Sequence, residues 1–136
     1  MAVTPIYAGL LALLYLVLSY RVIKLRGPGR PSLGDGGDPT LLRRIRAHGN
    51  FAEYVPFILL LIGILEINHL PTPWLHALGI TLVVARLLHG YALSFTESFT
   101  FGRVWGTALT FALLLVCGGL CLYQVVMRQL LSTAGT

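Results

Sequence analysis

Four apolar runs dominate this chain and leave it few ways to fold. They cover roughly Thr4 to Ile23, Phe57 to Leu65 within a longer segment from Pro39 to Ile67, Trp74 to Leu93, and Arg103 to Met127. A helix crosses the hydrocarbon of a bilayer with about 20 apolar residues. Inside lipid every backbone N–H and C=O needs a partner from its own segment, which helices provide. The expectation is an all-α integral membrane protein, one four-transmembrane-helix bundle over residues 1–136, with helices near 4–26, 39–67, 74–94 and 103–128. Composition agrees: hydrophobic residues make up 56% and charged residues 11%, far from an ordinary soluble domain.

The first run has no basic leader and no small-residue cleavage site, so a retained helix is expected rather than a removed signal peptide. It ends in Arg21, Lys24 and Arg26, where cations suit both a helix C-terminus and a membrane surface. Gly27 to Pro39 is rich in Gly and Pro and reads as a loop. It lacks the Gly-Lys-Ser/Thr that follows a phosphate loop and the glutamate of a calcium loop. Asp38-Pro39 reads as the N-cap and first residue of the second helix. Pro56 removes an N–H from that helix, leaves the Ala52 carbonyl without its usual donor, and is expected to kink it. Asn68 to Pro73 reads as a turn, and Ser94 to Gly102 as a loop containing Glu97.

Basic residues set an orientation. Most lie between Arg21 and Arg46, around the first loop, with Arg86 and Arg103 toward the second loop. The Asn68–Pro73 turn has no Lys or Arg. The positive-inside rule then puts both basic loops in the cytoplasm and both termini opposite. The net charge of +5 is explained by this distribution, and nucleic acid is not an expected partner. Cys117 and Cys121 are four residues apart in an apolar segment without nearby His or carboxylate. They read as apolar filler, and no metal site is expected.

The polar residues that open the second apolar segment are the unusual feature. At about 100° per residue, Arg46, Asn50 and Glu53 fall on one helical stripe, with Arg43 and Tyr54 at its edges. Charged groups at membrane depth need partners, so the stripe must face protein, water or a polar ligand. On the third helix Arg86 and His89 share a face. Arg103 opens the fourth helix. All lie toward the same end of the bundle.

No Ser-His-Asp set, activated cysteine or HExxH pattern occurs. What remains is a cationic cleft with several arginines and Glu53. Guanidinium groups suit carboxylates, Glu53 suits an ammonium, and a cation beside a thiol lowers its pKa and makes a nucleophilic thiolate. Two other readings stay open on spacing alone. The polar row serves as structural glue between helices, or Glu53 couples protons in a small exporter. The arginines, which favour an ionised Glu53, weigh against the second.

The segment Arg46-Ala47-His48-Gly49-Asn50-Phe51-Ala52-Glu53-Tyr54-Val55-Pro56 resembles the second-helix signature of the MAPEG family, the membrane-associated proteins in eicosanoid and glutathione metabolism. Length, four spans and a basic first loop are similar too, and bacterial members are the nearest in character. The resemblance implies a homotrimer with glutathione as co-substrate, bound between protomers. It implies a transferase or peroxidase acting on lipophilic electrophiles or hydroperoxides drawn from the bilayer. By motif, Arg46, Asn50, Glu53 and Tyr54 would hold glutathione. Arg86-Leu87-Leu88-His89 resembles the third-helix Arg-x-x-His or Arg-x-x-Tyr, which adds Arg86 and His89. Lys24 or Arg26 would meet a glutathione carboxylate. Arg103 resembles the arginine that stabilises the thiolate, the catalytic role. Two positions depart from the pattern: Leu93 stands where a tyrosine is expected, with Tyr91 facing elsewhere, and Gly49 replaces an arginine of some members.

Overall fold

The structure is a computed structural model and describes residues 2–27, 32–96 and 100–134. Pro28, Gly29 and Glu97 of the two expected loops lie outside the described residues. Among the described residues the chain forms four α-helices: α1 (Thr4–Leu25), α2 (Pro39–Ile67), α3 (Thr72–Ser94) and α4 (Thr100–Ala134). Each is long and apolar enough to cross a membrane. The protein is therefore an integral membrane protein of four spans.

The helix starts follow local chemistry. The Asp38 carboxylate accepts from the amides of Thr40 at 2.8 Å and Leu41 at 3.2 Å, and Pro39 takes the first position, where no N–H is needed. Just before it, Gly36 and Gly37 turn the chain with φ of 58° and 81°, angles that cost glycine little. The helix runs unbroken through Pro56, whose ring is exposed. The boundaries of α3 and α4 differ from expectation. α3 begins at Thr72, because Pro73 fits its first turn. α4 begins at Thr100 rather than Arg103, and it continues past Met127 to Ala134. The polar residues near Arg128 do not stop it, since nothing there breaks a helix. The α2–α3 turn is tight, and His69 adopts a left-handed φ of 62° to make it.

The helices alternate in direction. α1 packs on α2 and α3, α4 packs on α3 and α2, and α1 and α4 stand on opposite flanks. Leu11 and Leu18 of α1, Phe51, Val55, Ile58, Ile62 and Leu65 of α2, Leu75 and Leu82 of α3, and Leu113 and Cys117 of α4 form the buried core. The α2 members recur every three or four residues, one face of a helix. In lipid this face gains little from hydrophobic transfer, so close packing and internal polar bonds hold the bundle.

Small residues set the closest approaches. A Cβ at Gly106 of α4 would sit 2.7 Å from the Cβ of His89 and 2.8 Å from the carbonyl of Ala85 on α3. Gly79 of α3 leaves room for the ring of Tyr7, which would lie 2.3 Å from an added Cβ. The Tyr7 hydroxyl meets His76 Nδ1 at 2.8 Å, tying α1 to α3.

Two clasps close the bundle's ends. At the end carrying the termini, the Glu66 carboxylate accepts from the amides of Ala2, Val3 (2.8 Å) and Thr4 (2.9 Å). Val3 offers α1 no side-chain cap, so a carboxylate from α2 satisfies the free amides and opposes the positive end of the helix. At the loop end, Arg21 donates from Nε to Ser94 Oγ at 2.7 Å and from Nη2 to the Ser94 carbonyl. Its guanidinium also lies 3.5 Å above the Phe95 ring. Arg44 Nη1 donates to the Arg21 carbonyl at 2.9 Å.

Candidate functional site

A cleft of about 750 Å³ opens at the loop end between α2, α3 and α4. Arg43, Arg46 and Asn50 line it from α2, His89 and Leu93 from α3, and Thr100, Arg103, Val104, Thr107, Ala108 and Phe111 from α4. The volume falls in the range of small-molecule sites, about 300–1,000 Å³. Three guanidinium groups and no carboxylate line it among the described residues. The first turn of α4, with Thr100 and Arg103, opens into it and adds the partial positive charge of a helix N-terminus. Leu42, Leu93, Val104, Ala108 and Phe111 give it an apolar side.

Beneath the cleft lies Arg86, only 2% exposed. Its Nη1 donates to Asn50 Oδ1 at 2.8 Å, and its Nη2 donates to the Gly106 carbonyl at 3.0 Å and to Thr110 Oγ1. Thr110 donates in turn to the Gly106 carbonyl at 2.6 Å. Arg86 thus joins α2, α3 and α4 under the site. A guanidinium only donates, so the Asn50 atom facing it must be the carbonyl oxygen. The Asn50 amide is left to donate elsewhere. Its residue lines the cleft, so the cleft has a neutral donor beside its cations.

The structure brings together Arg46, Asn50, His89 and Arg103 of the expected set. Arg86 supports them from below without lining the cleft. Tyr54 stands next to the cleft, its ring 5.8 Å from that of Phe111. Glu53 lies on the exposed flank of α2, about two turns along from Arg46 with Gly49 between them. An added Cβ at Gly49 would be 3.9 Å from Glu53 Oε1. Lys24 and Arg26 end α1, away from this cleft, and Arg26 Nη1 donates to the Ser32 carbonyl at 2.9 Å. Leu93 lines the cleft, whereas Tyr91 turns outward and stacks on Phe95 at 5.6 Å.

Sequence reading missed Gly106, Thr110 and the α4 wall of Thr107, Ala108 and Phe111. The signal was present as Gly102-x-x-x-Gly106-x-x-x-Thr110, small residues every four positions, which let helices in lipid approach closely. Glu66 was missed too. It is a second carboxylate in the same helix, at the opposite end from the polar stripe.

Candidate metal ligands do not gather. Among the described residues no cluster of three His, Cys, Asp or Glu could hold an ion. Cys117 is buried and Cys121 half-buried, both as free thiols.

Known proteins are similar to this chain in sequence. The Escherichia coli (strain K12) inner membrane protein YecN is 42% identical over 89 residues, which cover 65% of this chain and 68% of that protein. The same figures hold for YecN of Escherichia coli O6:H1. Residues 4–123, nearly the whole described bundle, match the MAPEG family. Four spans, the polar second-helix stripe and this match together show that the chain belongs to the MAPEG family.

Proposed function

We propose that the chain is a glutathione-dependent membrane transferase or peroxidase. The observation that carries this reading is the cleft itself: Arg43, Arg46 and Arg103 around a donor amide at Asn50, with an apolar side of Leu93, Val104 and Phe111. A tripeptide with two carboxylates fits the cations. Its thiol, placed near Arg103, loses its proton more readily because the guanidinium favours the thiolate. The thiolate sulfur then bonds to an electrophilic carbon lying along the apolar side, and the leaving group departs with its electron pair. With a hydroperoxide the sulfur takes the terminal oxygen as a sulfenic acid, the alkoxide leaves and gains a proton, and a second glutathione thiol then attacks that sulfur, forming the disulfide and releasing the oxygen as water. His89, buried at the cleft wall, orients the ligand.

The same reading calls for a homotrimer. Arg46 and Glu53 are exposed on α2 of the single protomer, and charges at span depth need covering. A neighbouring copy supplies that cover, brings its Lys24 or Arg26 to a glutathione carboxylate, and leaves Glu53 for the ammonium. The name of the Escherichia coli relative supports an inner-membrane location, and the positive-inside rule puts the cleft on the cytoplasmic side.

The test is spectroscopic. Purified protein mixed with glutathione should develop the ultraviolet thiolate band. Arg103→Ala should bind glutathione yet lose the band. No band and no glutathione binding at millimolar concentrations would overturn the reading.

A further inference from the structure

A second, smaller recess adjoins the cleft at the loop end, about 180 Å³ in volume. Arg21 of α1, Thr40, Arg43 and Arg44 of α2, and Leu93, Ser94, Phe95 and Thr96 of α3 and its end line it. Arg43 and Leu93 form the wall it shares with the cleft. Three guanidinium groups and three hydroxyl side chains meet here, and no carboxylate lines the recess among the described residues. The nearby Asp38 carboxylate is committed to the first amides of α2, and Glu97 lies outside the described residues.

The internal bonds leave donors unused. Arg21 spends Nε and Nη2 on Ser94. Arg44 spends Nη1 on the Arg21 carbonyl, while its Nε is buried without a partner. A buried charged donor left unmatched is costly, and like charges packed together repel. A small oxyanion in the recess offsets that repulsion and can accept from Arg21 Nη1 and Arg44 Nη2, which these bonds leave unused.

The recess also sits at one defined level. Arg21 is in the last turns of α1, Thr40 in the first turn of α2, and Ser94 ends α3. These are the residues where the spans leave the hydrocarbon, the depth of lipid phosphates. From Phe95 an exposed apolar stripe of Tyr91, Leu87, Val84 and Ile80 runs down α3. Its spacing of three and four residues is one helical face. Phosphate at the arginines and acyl chains along the stripe would suit one lipid molecule.

We infer that the Arg21–Arg43–Arg44 recess is a phosphate-binding site, occupied by the headgroup of an anionic phospholipid or by a free phosphate. It does not rest on the glutathione reading: Arg43 is shared with the cleft, but the test turns on Arg44, which lies outside it.

The experiment is native mass spectrometry of the delipidated full chain in neutral detergent. Phosphatidylglycerol, phosphatidylcholine and inorganic phosphate are titrated separately. The expected result is phosphatidylglycerol binding at least about fivefold tighter than phosphatidylcholine, weakened about fivefold by Arg44→Gln and unchanged by Arg128→Gln. Inorganic phosphate that binds, or competes, with the same Arg44 dependence supports the site with the free anion as its source. Arg44→Lys keeps the charge and loses the planar fork of donors, and should bind at intermediate strength. Thermal unfolding of each variant without ligand shows that it is folded. Equal binding of the two lipids with no effect of phosphate overturns the proposal. So does a folded Arg44→Gln that binds like the parent.

Discussion

Arg86 holds Asn50 by its carbonyl oxygen, at 2.8 Å, from a position beneath the cleft. One bond therefore decides which way the Asn50 amide points. Arg86→Gln should leave Asn50 Oδ1 without its charged donor and the Asn50 side chain free to turn. The expected cost is about 1–3 kcal/mol of stability, with glutathione binding weakened as well. Thermal unfolding in detergent and titration calorimetry read the two effects. A variant that keeps its stability would show that Arg86 is no strut.

Gly106 meets α3 through backbone as well as side chain, at 2.8 Å from the Ala85 carbonyl and 2.9 Å from the His89 amide for an added Cβ. Neither can swing away. Gly106→Ala should push α4 off α3 and lower stability by about 1–3 kcal/mol. Gly118, on the same helix, has nothing within 4 Å of an added Cβ. Gly118→Ala should be neutral or stabilising by up to about 1 kcal/mol. Paired melting curves separate the two glycines.

Glu66 has two oxygens for three amides. Glu66→Gln retains one oxygen and sets an N–H₂ against the others, so at least one amide loses its acceptor. Hydrogen exchange at Val3 and Thr4 should quicken by about tenfold, consistent with the loss of a hydrogen bond to a charged group. Exchange in the middle of α3 should not change.

Cys117 is fully buried, and Cys121 Sγ faces the Leu61 carbonyl at 3.9 Å. Neither belongs to the cleft. Cys117→Ala combined with Cys121→Ala should cost stability by removing packed sulfur, yet leave glutathione affinity unchanged. A loss of binding in the folded double variant would bring the thiols into the site.

The four spans were legible because each apolar run is long enough to cross lipid, and the start of α2 because Asp-Pro has a definite capping chemistry. That Arg46, Asn50, His89 and Arg103 lie toward one end of the bundle was legible because polar groups stand out in an apolar helix, and they line one cleft. The sequence could not place Glu53 and Arg86 in depth. Helical spacing gives an angle around one axis, while burial depends on which neighbour covers that angle. Asn50 and Glu53 are three residues apart, yet the first sits over Arg86 and the second on the open flank. The α4 wall was hidden for the opposite reason: Thr107, Ala108 and Phe111 look like any lipid-facing residues until α3 closes against Gly106.

The clasps at the two ends also order events in time. A chain made from its N-terminus holds Arg21 and Arg44 before Glu66 emerges, and holds Glu66 before α3 begins. The α1–α2 hairpin therefore carries one polar bond across its loop end and three across its open end before any later span is needed. It is a unit that a membrane can receive whole, with α3 and α4 docking onto a surface already made.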